Sequence, residues 1–207
     1  MVVHVYERAQ QAKSLDQVII AIDNESVVEA LEPYSVETVM TAENHASGTD
    51  RIAEVVREME VDVVVNIQGD EPFIDPRIID ELVGVFSDKR VEMGTAVSTV
   101  ITAEDLLDPN TVKVLLDIQQ NAVVFRREVF EKEIGGYYRH IGLYAFRKET
   151  LLKFTQLRPT QNELQFHLEQ FRALDNGIPI RAVITDYPYR GIDTEEDIRK
   201  LQSERGK

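Results

Sequence analysis

The chain alternates between short apolar runs and segments in which apolar positions recur every three or four residues. The strongest apolar run is 61–67, whose β-branched residues indicate a buried strand. Residues 3–13 carry their apolar positions on one side of a helix, and 17–22 is typical of a short buried strand. This alternation predicts an α/β fold in a single domain, 1–207, with a mostly parallel mixed sheet and helices on both faces.

The same patterns predict the remaining elements. Further strands are expected at 36–40, 93–100, 112–116, 123–126, 138–146 and 180–184. Further helices are expected at 26–31 behind an Asn24 cap, from Ser47 or Thr49 to about Met59, at 76–86, at 164–174 and at 194–202. Ligands of such folds bind outside the carboxyl ends of the strands. That rule directs attention to residues just after strands.

Composition narrows the class of protein. The chain has 207 residues, with 23 Lys and Arg against 37 Asp and Glu, so its formal charge is −14. This acidity argues against a nucleic-acid binder, and the absence of cysteine excludes disulfides, thiolate metal sites and cysteine nucleophiles. No apolar run approaches the ~20 residues of a membrane span. Charged residues already occur within the first ten positions, MVVHVYERAQ, which does not fit the apolar segment of a signal peptide. We therefore expect a cytoplasmic protein with no membrane partner.

Two acidic segments suggest a metal site. Asp70 follows the strongest predicted strand, in the sequence NIQGDEP (66–72), and Asp193 lies in GIDTEED (191–197). One or two carboxylates, together with substrate phosphates, suit Mg²⁺. Acids in these positions also cap and charge the start of a helix. Spacing alone leaves both interpretations open.

Two further segments carry candidate binding residues. Small residues at Ser47, Gly48 and Thr49 allow main-chain N–H groups to approach a nucleotide, although an ordinary capped loop has the same composition. His140 and Tyr144 share one face of the strand 138–146, with Gly142 between them. A glycine inside a strand suggests close approach by another group. A His beside a Tyr suits a polyhydroxy acid, and a partly buried strand is the alternative.

Six segments, in order, resemble the 3-deoxy-manno-octulosonate (Kdo) cytidylyltransferases, also called CMP-Kdo synthetases. They are HASGTDR (45–51), VNIQGDEP (65–72), DPNTVKV (108–114), RHIGLYAF (139–146), LEQFRAL (168–174) and GIDTEED (191–197). The similarity runs from Val2 almost to the last residue. The resemblance implies a Rossmann-like nucleotide-diphospho-sugar transferase fold. The implied reaction is CTP plus Kdo giving CMP-Kdo and pyrophosphate, for lipopolysaccharide synthesis, in a cytoplasmic homodimer.

The resemblance also implies roles for individual residues. Asp70 and Asp193 are the expected catalytic residues, as Mg²⁺ ligands. The nucleotide is expected beside Ser47, Gly48 and Thr49. The expected sugar-acid ligands are Gln68, Arg127, His140, Tyr144, Glu169 and Gln170. A solvated helix face is the alternative interpretation for Glu169 and Gln170.

The chain departs from the family pattern in three places. The family's first strand and its basic, glycine-containing phosphate loop are missing, so we expect an N-terminally truncated domain that turns over CTP poorly or not at all by itself. The segment between Arg127 and Arg139 is short, and Phe166 occupies a position that is often acidic. Two alternatives therefore stay open: an impaired remnant acting as a sugar-acid-binding or dimerisation module, and a cytidylyltransferase for a related sugar acid.

Overall fold

The structure is a computed structural model that describes residues 1–129 and 135–187. Asp193 and the predicted closing helix 194–202 lie outside the described residues. Helices and strands alternate from residue 2 to residue 116, as the sequence pattern predicts, and within the described residues the next two strands follow without a helix between them. Within these ranges no helix has the length and apolar character needed to cross a membrane.

Eight strands and eight α-helices are described. The strands are β1 (Ile20–Ile22), β2 (Thr38–Met40), β3 (Val63–Asn66), β4 (Met93–Ser98), β5 (Lys113–Leu116), β6 (Ala122–Arg126), β7 (Tyr138–Arg147) and β8 (Ile180–Thr185). The helices are α1 (Val2–Ala9), α2 (Glu25–Leu31), α3 (Gly48–Val56), α4 (Pro76–Gly84), α5 (Ala103–Leu107), α6 (Lys148–Phe154), α7 (Gln161–Phe166) and α8 (Gln170–Asp175). A 3₁₀ turn, Val85–Ser87, follows α4.

The strands form two sheets. β1 and β2 are a parallel pair, and the other six strands form one sheet in the order β6-β5-β7-β4-β8, with β3 also paired to β7. The sheet is mixed, as predicted, but its parallel share is smaller than predicted. Only β4 and β8 pair in parallel there, because the ten-residue β7 runs antiparallel to β3, β4 and β5.

Local sequence explains where the helices begin. The side chain of Asn24 accepts a hydrogen bond from Ser26 N–H at the start of α2, which confirms the predicted cap. Ser47, rather than Thr49, caps α3 by accepting from Asp50 N–H at 3.2 Å. These bonds satisfy main-chain donors that have no partner within the first helical turn.

The prediction of one helix over 164–174 is wrong, because two short helices meet at a corner there. His167 has φ 53°, in the left-handed region, and ends α7. α8 begins at Gln170, immediately after Glu169. Because of this bend, Glu169 and Gln170 lie at the start of a new helix rather than in the middle of a straight one. The short helices α5 and α6 were not predicted.

Helices cover both faces of the large sheet, as predicted. On one face, α3, α6 and α8 pack with buried Ala53, Leu151 and Ala173 against strand residues such as Phe146. On the other face, α1 and α4 pack against the sheet through a second apolar cluster, formed by Ala9, Ile78, Ile79, Leu82, Ile141, Leu143 and Ala145. β7 therefore divides its alternate side chains between two cores.

Candidate active site

β7 presents a polar pair to the face that α3 and α8 cover. The rings of His140 and Tyr144 lie with centroids 5.4 Å apart, and Phe125 of β6 contacts the His140 ring edge-on at 5.3 Å. Ile141 and Leu143 point into the opposite core. The predicted sharing of one face by His140 and Tyr144 is therefore confirmed.

His140 is held as a neutral ring. Burial lowers the pKa of its imidazole to about 3. The Thr95 hydroxyl lies 3.0 Å from His140 Nε2 and donates to the Leu143 carbonyl at 3.0 Å. Because that carbonyl can only accept, Nε2 carries the proton and donates to Thr95. Nδ1 is then left as an acceptor.

Gly142 lies in an irregular part of β7. The register between β4 and β7 shifts so that Thr95 pairs with Tyr144 and Ala96 pairs with Ile141, which leaves two extra residues on β7. No other part of the described chain approaches Gly142 closely, and a close approach by a ligand stays a prediction. A Cβ built there meets no atom within 4 Å, so open space lies at Gly142, between His140 and Tyr144 in the strand.

Three buried polar atoms on β7 and at the start of α8 have no hydrogen-bond partner within the described residues. They are the Tyr144 hydroxyl, Oε1 of Glu169 and Nε2 of Gln170. Burial and the neighbouring Glu169 carboxylate raise the pKa of Tyr144, which therefore keeps its proton. Unpaired buried polar groups are costly, and a polyhydroxy ligand supplies the missing donors and acceptors.

Glu169 is held from two sides. Its Oε2 accepts a 2.6 Å hydrogen bond from the Thr49 hydroxyl, and its Oε1 lies 3.7 Å from Nη2 of Arg172. Arg172 also forms a two-point ion pair with Glu163, with Nε donating to Glu163 Oε2 at 2.9 Å. Glu163 and Arg172 are both buried. The interpretation of this segment as a solvated helix face is therefore wrong.

The Ser47–Thr49 segment forms the first turn of α3. Ser47 is its cap, Gly48 is exposed and Thr49 is buried against Glu169. The side-chain amide of Gln68 lies 3.9 Å from the Cβ position of Gly48, and its Nε2 donates to Asn66 Oδ1 at 3.3 Å. The structure thus places Gln68 beside the predicted nucleotide segment.

Arg127 lies at the corner between α7 and α8. Its guanidinium donates to the main-chain carbonyls of Phe166, Pro109 and His167, at 3.3, 3.1 and 3.2 Å. These bonds fix the guanidinium at the corner, and no carboxylate of the described residues pairs with it. Its prediction as a sugar-acid ligand stays a prediction.

Asp70 follows β3 and is partly buried in the turn. No hydrogen bond or ion pair to its carboxylate is recorded among the described residues, so its oxygens fit a metal ligand. Those residues contain no group of three acidic or His side chains placed to hold a metal. That finding leaves the metal prediction open, because Mg²⁺ needs only one or two carboxylates and Asp193 is not described.

Comparison with known proteins identifies the family. The family model "Cytidylyltransferase" matches residues 1–183. The 3-deoxy-manno-octulosonate cytidylyltransferase of Geotalea uraniireducens is 40% identical, over 97% of this chain and 86% of the relative. That of Nitratidesulfovibrio vulgaris is 43% identical, over 94% of this chain and 81% of the relative. The chain belongs to the 3-deoxy-manno-octulosonate cytidylyltransferase family.

Solved structures agree with this assignment. The structure of CMP:2-keto-3-deoxy-manno-octonic acid synthetase complexed with CTP has a TM-score of 0.90 and 34% identity, over 99% of this chain and 87% of that chain. A 4-diphosphocytidyl-2C-methyl-D-erythritol synthase from Anaerococcus prevotii, at 14% identity and a TM-score of 0.62, shows the fold alone. The cytidylyltransferase fold and enzyme class predicted from the sequence are confirmed, and the non-catalytic alternative is not favoured.

Sequence reasoning missed two residues that shape this cytidylyltransferase site. Thr95 is fully buried in β4 and orients His140. Lys113 is fully buried in β5, and its Nζ donates to the carbonyls of Asp108 and Thr111 at 2.9 and 2.8 Å and to that of Arg127. Burial lowers the pKa of Lys113. The sequence signal was a lysine within the apolar run 112–116. A lysine buried there needs several hydrogen-bond acceptors around its charge, so it holds neighbouring loops together.

Proposed function

We propose that this chain transfers CMP from CTP to Kdo and releases pyrophosphate. The observation that carries the proposal is a group of buried polar atoms, on Tyr144, Glu169 and Gln170, that have no hydrogen-bond partner within the described residues. Tyr144 lies beside the neutral His140, and Glu169 is joined to the predicted nucleotide segment by the hydrogen bond from Thr49. A sugar acid with several hydroxyls matches this mixture of donors and acceptors.

Each side chain has a distinct part in holding the sugar. The Tyr144 hydroxyl and the Gln170 amide donate to sugar oxygens, whereas Glu169 Oε1 and His140 Nδ1 accept from sugar hydroxyls. Arg127 binds the sugar carboxylate in this proposal, because a guanidinium holds a carboxylate through parallel hydrogen bonds. Together these contacts fix the direction of the anomeric hydroxyl.

The transfer itself depends on position. The anomeric oxygen of Kdo attacks the α-phosphorus of CTP, the bond to the β-phosphate oxygen breaks, and pyrophosphate leaves with that oxygen. The anomeric proton is lost to solvent or to a neighbouring acceptor. The first turn of α3, Ser47 to Thr49, lies beside the cytidine, with Gln68 next to it. Holding both substrates in line supplies much of the acceleration.

Mg²⁺ completes the site in this proposal. Asp70 and Asp193 are the residues that would hold it. When bound, the ion neutralises charge on the phosphate oxygens. This neutralisation matters because the chain's net charge of −14 opposes the approach of a triphosphate. We also propose a cytoplasmic homodimer that serves lipopolysaccharide synthesis.

The function is tested by pyrophosphate release from radiolabelled CTP. We expect release, however slow, that requires both Kdo and Mg²⁺ and that is weaker with a sialic acid or an amino-substituted Kdo. Asp70→Asn is expected to reduce the Mg²⁺ dependence, and so is Asp193→Asn, whereas Asp16→Asn is a matched surface control. Release without a sugar acid, no release above background, or unchanged Mg²⁺ dependence in both variants contradicts the proposal.

A further inference from the structure

Two consecutive turns follow β3, and Asp70 lies within the first of them. The Glu71 N–H donates to the Gln68 carbonyl at 3.3 Å, and the Ile74 N–H donates to the Glu71 carbonyl at 3.1 Å. Glu71 therefore belongs to both turns, and Phe73 lies within the second. Because the turns share a residue, a contact that holds the second turn in place also limits the position of Asp70.

A tyrosine after β8 makes such a contact. The hydroxyl of Tyr187 donates to the main-chain carbonyl of Phe73, across 114 residues of sequence. Its ring packs against the apolar cluster that contains Ile74 and Ile78. Burial raises the pKa of the Tyr187 hydroxyl, which therefore keeps its proton and can donate it. The second turn is thus tied to the chain that leaves β8.

The main chain of Tyr187 is itself fixed by two side chains. Ser98, fully buried at the end of β4, donates from its hydroxyl to the Tyr187 carbonyl at 2.8 Å. The Tyr187 N–H donates to Oγ1 of Thr185 at 3.1 Å. Ser98 and Thr185 are register partners in the parallel pairing of β4 with β8. The Tyr187 hydroxyl therefore extends from a main chain that two paired strands hold in place.

A second tie reaches these turns from α1. Nε of Arg8 donates to the Ile74 carbonyl at 2.9 Å, at the last residue of the second turn. Asp75, the next residue, caps the start of α4. Arg8 and the cap thus fix the end of the turn that leads into α4. Tyr187 acts one residue nearer to Asp70 than Arg8 does.

The position of the first turn matters because Asp70 has a short side chain. A small shift of its main chain moves the carboxylate by a similar distance. Mg²⁺ requires nearly octahedral coordination, with oxygens at about 2.0–2.1 Å, and tolerates such shifts poorly. Groups that hold a metal ligand in place without touching the metal typically change metal affinity about 10–100-fold. A bond that fixes the turns can therefore affect cation binding from a distance.

We propose that Tyr187 is a positioning residue of the metal site, because its hydrogen bond to Phe73 holds the two turns where the Asp70 carboxylate meets a divalent cation. The inference rests on the proposed function for the assignment of Asp70 as a metal ligand. Tyr187 itself contacts neither the cation nor a substrate. Loss of its hydroxyl leaves the fold in place, loosens the turns and weakens cation binding.

Titration of Mn²⁺ into the full chain tests this inference without catalysis. Mn²⁺ takes oxygen ligands as Mg²⁺ does, and electron paramagnetic resonance measures its free concentration. Salt at about 0.15 M screens weak binding to surface carboxylates. Tyr187→Phe removes the donor and keeps the ring, and we expect its Mn²⁺ dissociation constant to rise about fivefold or more. Tyr34→Phe, at an exposed tyrosine, is the matched control and is expected to bind as the natural chain does.

Two further measurements separate positioning from a general effect on stability. Because Tyr187 acts through Asp70, we expect Tyr187→Phe to change Mn²⁺ affinity less than about twofold when Asp70→Asn is already present. Hydrogen exchange reports on the turns without any metal. We expect the amides of Glu71 and Ile74 to exchange about threefold or more faster in Tyr187→Phe, with an unchanged circular dichroism spectrum.

The outcomes distinguish this inference from the proposed function. If Asp70→Asn weakens Mn²⁺ binding and Tyr187→Phe does not, the inference alone is overturned. It is also overturned if Tyr187→Phe weakens binding equally with and without the Asp70 carboxylate, or leaves the exchange of the two amides unchanged. If the natural chain binds no Mn²⁺ saturably, or Asp70→Asn binds it equally well, the metal assignment in the proposed function fails and the inference fails with it.

Discussion

Thr49 is the residue that joins the two halves of the candidate site. Its hydroxyl donates to Glu169 at 2.6 Å, across 120 residues of sequence. Hydrogen bonds to charged groups contribute about 1.5–3 kcal/mol. We predict that Thr49→Val, which keeps the shape but removes the donor, raises the KM for Kdo about tenfold or more and changes the KM for CTP less.

Thr49→Ser is the control, since it retains the hydroxyl and is expected to stay within about threefold of the natural enzyme. Steady-state kinetics with each substrate varied in turn measure both constants. The role given to the Thr49–Glu169 bond is contradicted if both substitutions raise the KM for Kdo equally. It is also contradicted if Thr49→Val raises the KM for CTP more than the KM for Kdo.

His140 gives the folded state a pH dependence of defined sign. Its pKa is about 3 in the fold, against 6.5 for a free imidazole. Between these values the unfolded chain binds a proton that the folded chain does not, so stability is lost as the pH falls below about 6.5. We predict a loss of about 2 kcal/mol from this group between pH 7 and pH 5.

Urea unfolding at several pH values measures this loss, with His140→Asn as the variant that lacks the titrating ring. The variant is expected to show a flatter pH dependence over the same interval. A ring that titrates near 6.5 by NMR in the folded protein rules out the buried, neutral His140.

At the level of elements, the corner between α7 and α8 depends on one buried ion pair. Arg172 holds Glu163 in two-point contact, and its guanidinium lies 4.9 Å from the centroid of the Phe154 ring. Removing one partner leaves the other charge buried. We predict that Arg172→Met lowers the free energy of unfolding by about 3–5 kcal/mol.

The double variant Arg172→Met, Glu163→Gln removes the buried carboxylate that Arg172→Met leaves without a partner. Comparing the two variants therefore measures the cost of that unpaired charge. It is expected to be more stable than Arg172→Met alone, as measured by urea unfolding at neutral pH. Additive losses from the two single changes contradict a coupled buried pair.

The elements that the sequence predicted well are those with a local signal. β3 was recognised from its apolar run, and α2 from the Asn24 cap. The division of 164–174 into α7 and α8 was missed, because the left-handed His167 leaves no mark in the apolar pattern. Tertiary contacts at this corner, among them the bonds from Arg127 to Phe166 and His167, accompany the break.

At the scale of the whole molecule, the sequence predicted the fold class but not the directions of the strands. A strand pattern shows which residues are buried, whereas pairing direction depends on the connections. β7 runs antiparallel to three neighbours, and this arrangement brings His140 and Tyr144 opposite α8. Family resemblance located these two residues. Thr95 carries no such signal, since its role exists only once β4 lies beside β7.

We propose that the sugar acid binds over Gly142, between His140 and Tyr144. The most direct test is calorimetric titration of Kdo into the natural chain and into Gly142→Val, with Gly84→Ala as a control at another open glycine. We predict saturable binding by the natural chain and the control, and at least tenfold weaker binding by Gly142→Val with an unchanged circular dichroism spectrum. Equal Kdo affinity in all three proteins contradicts binding over Gly142.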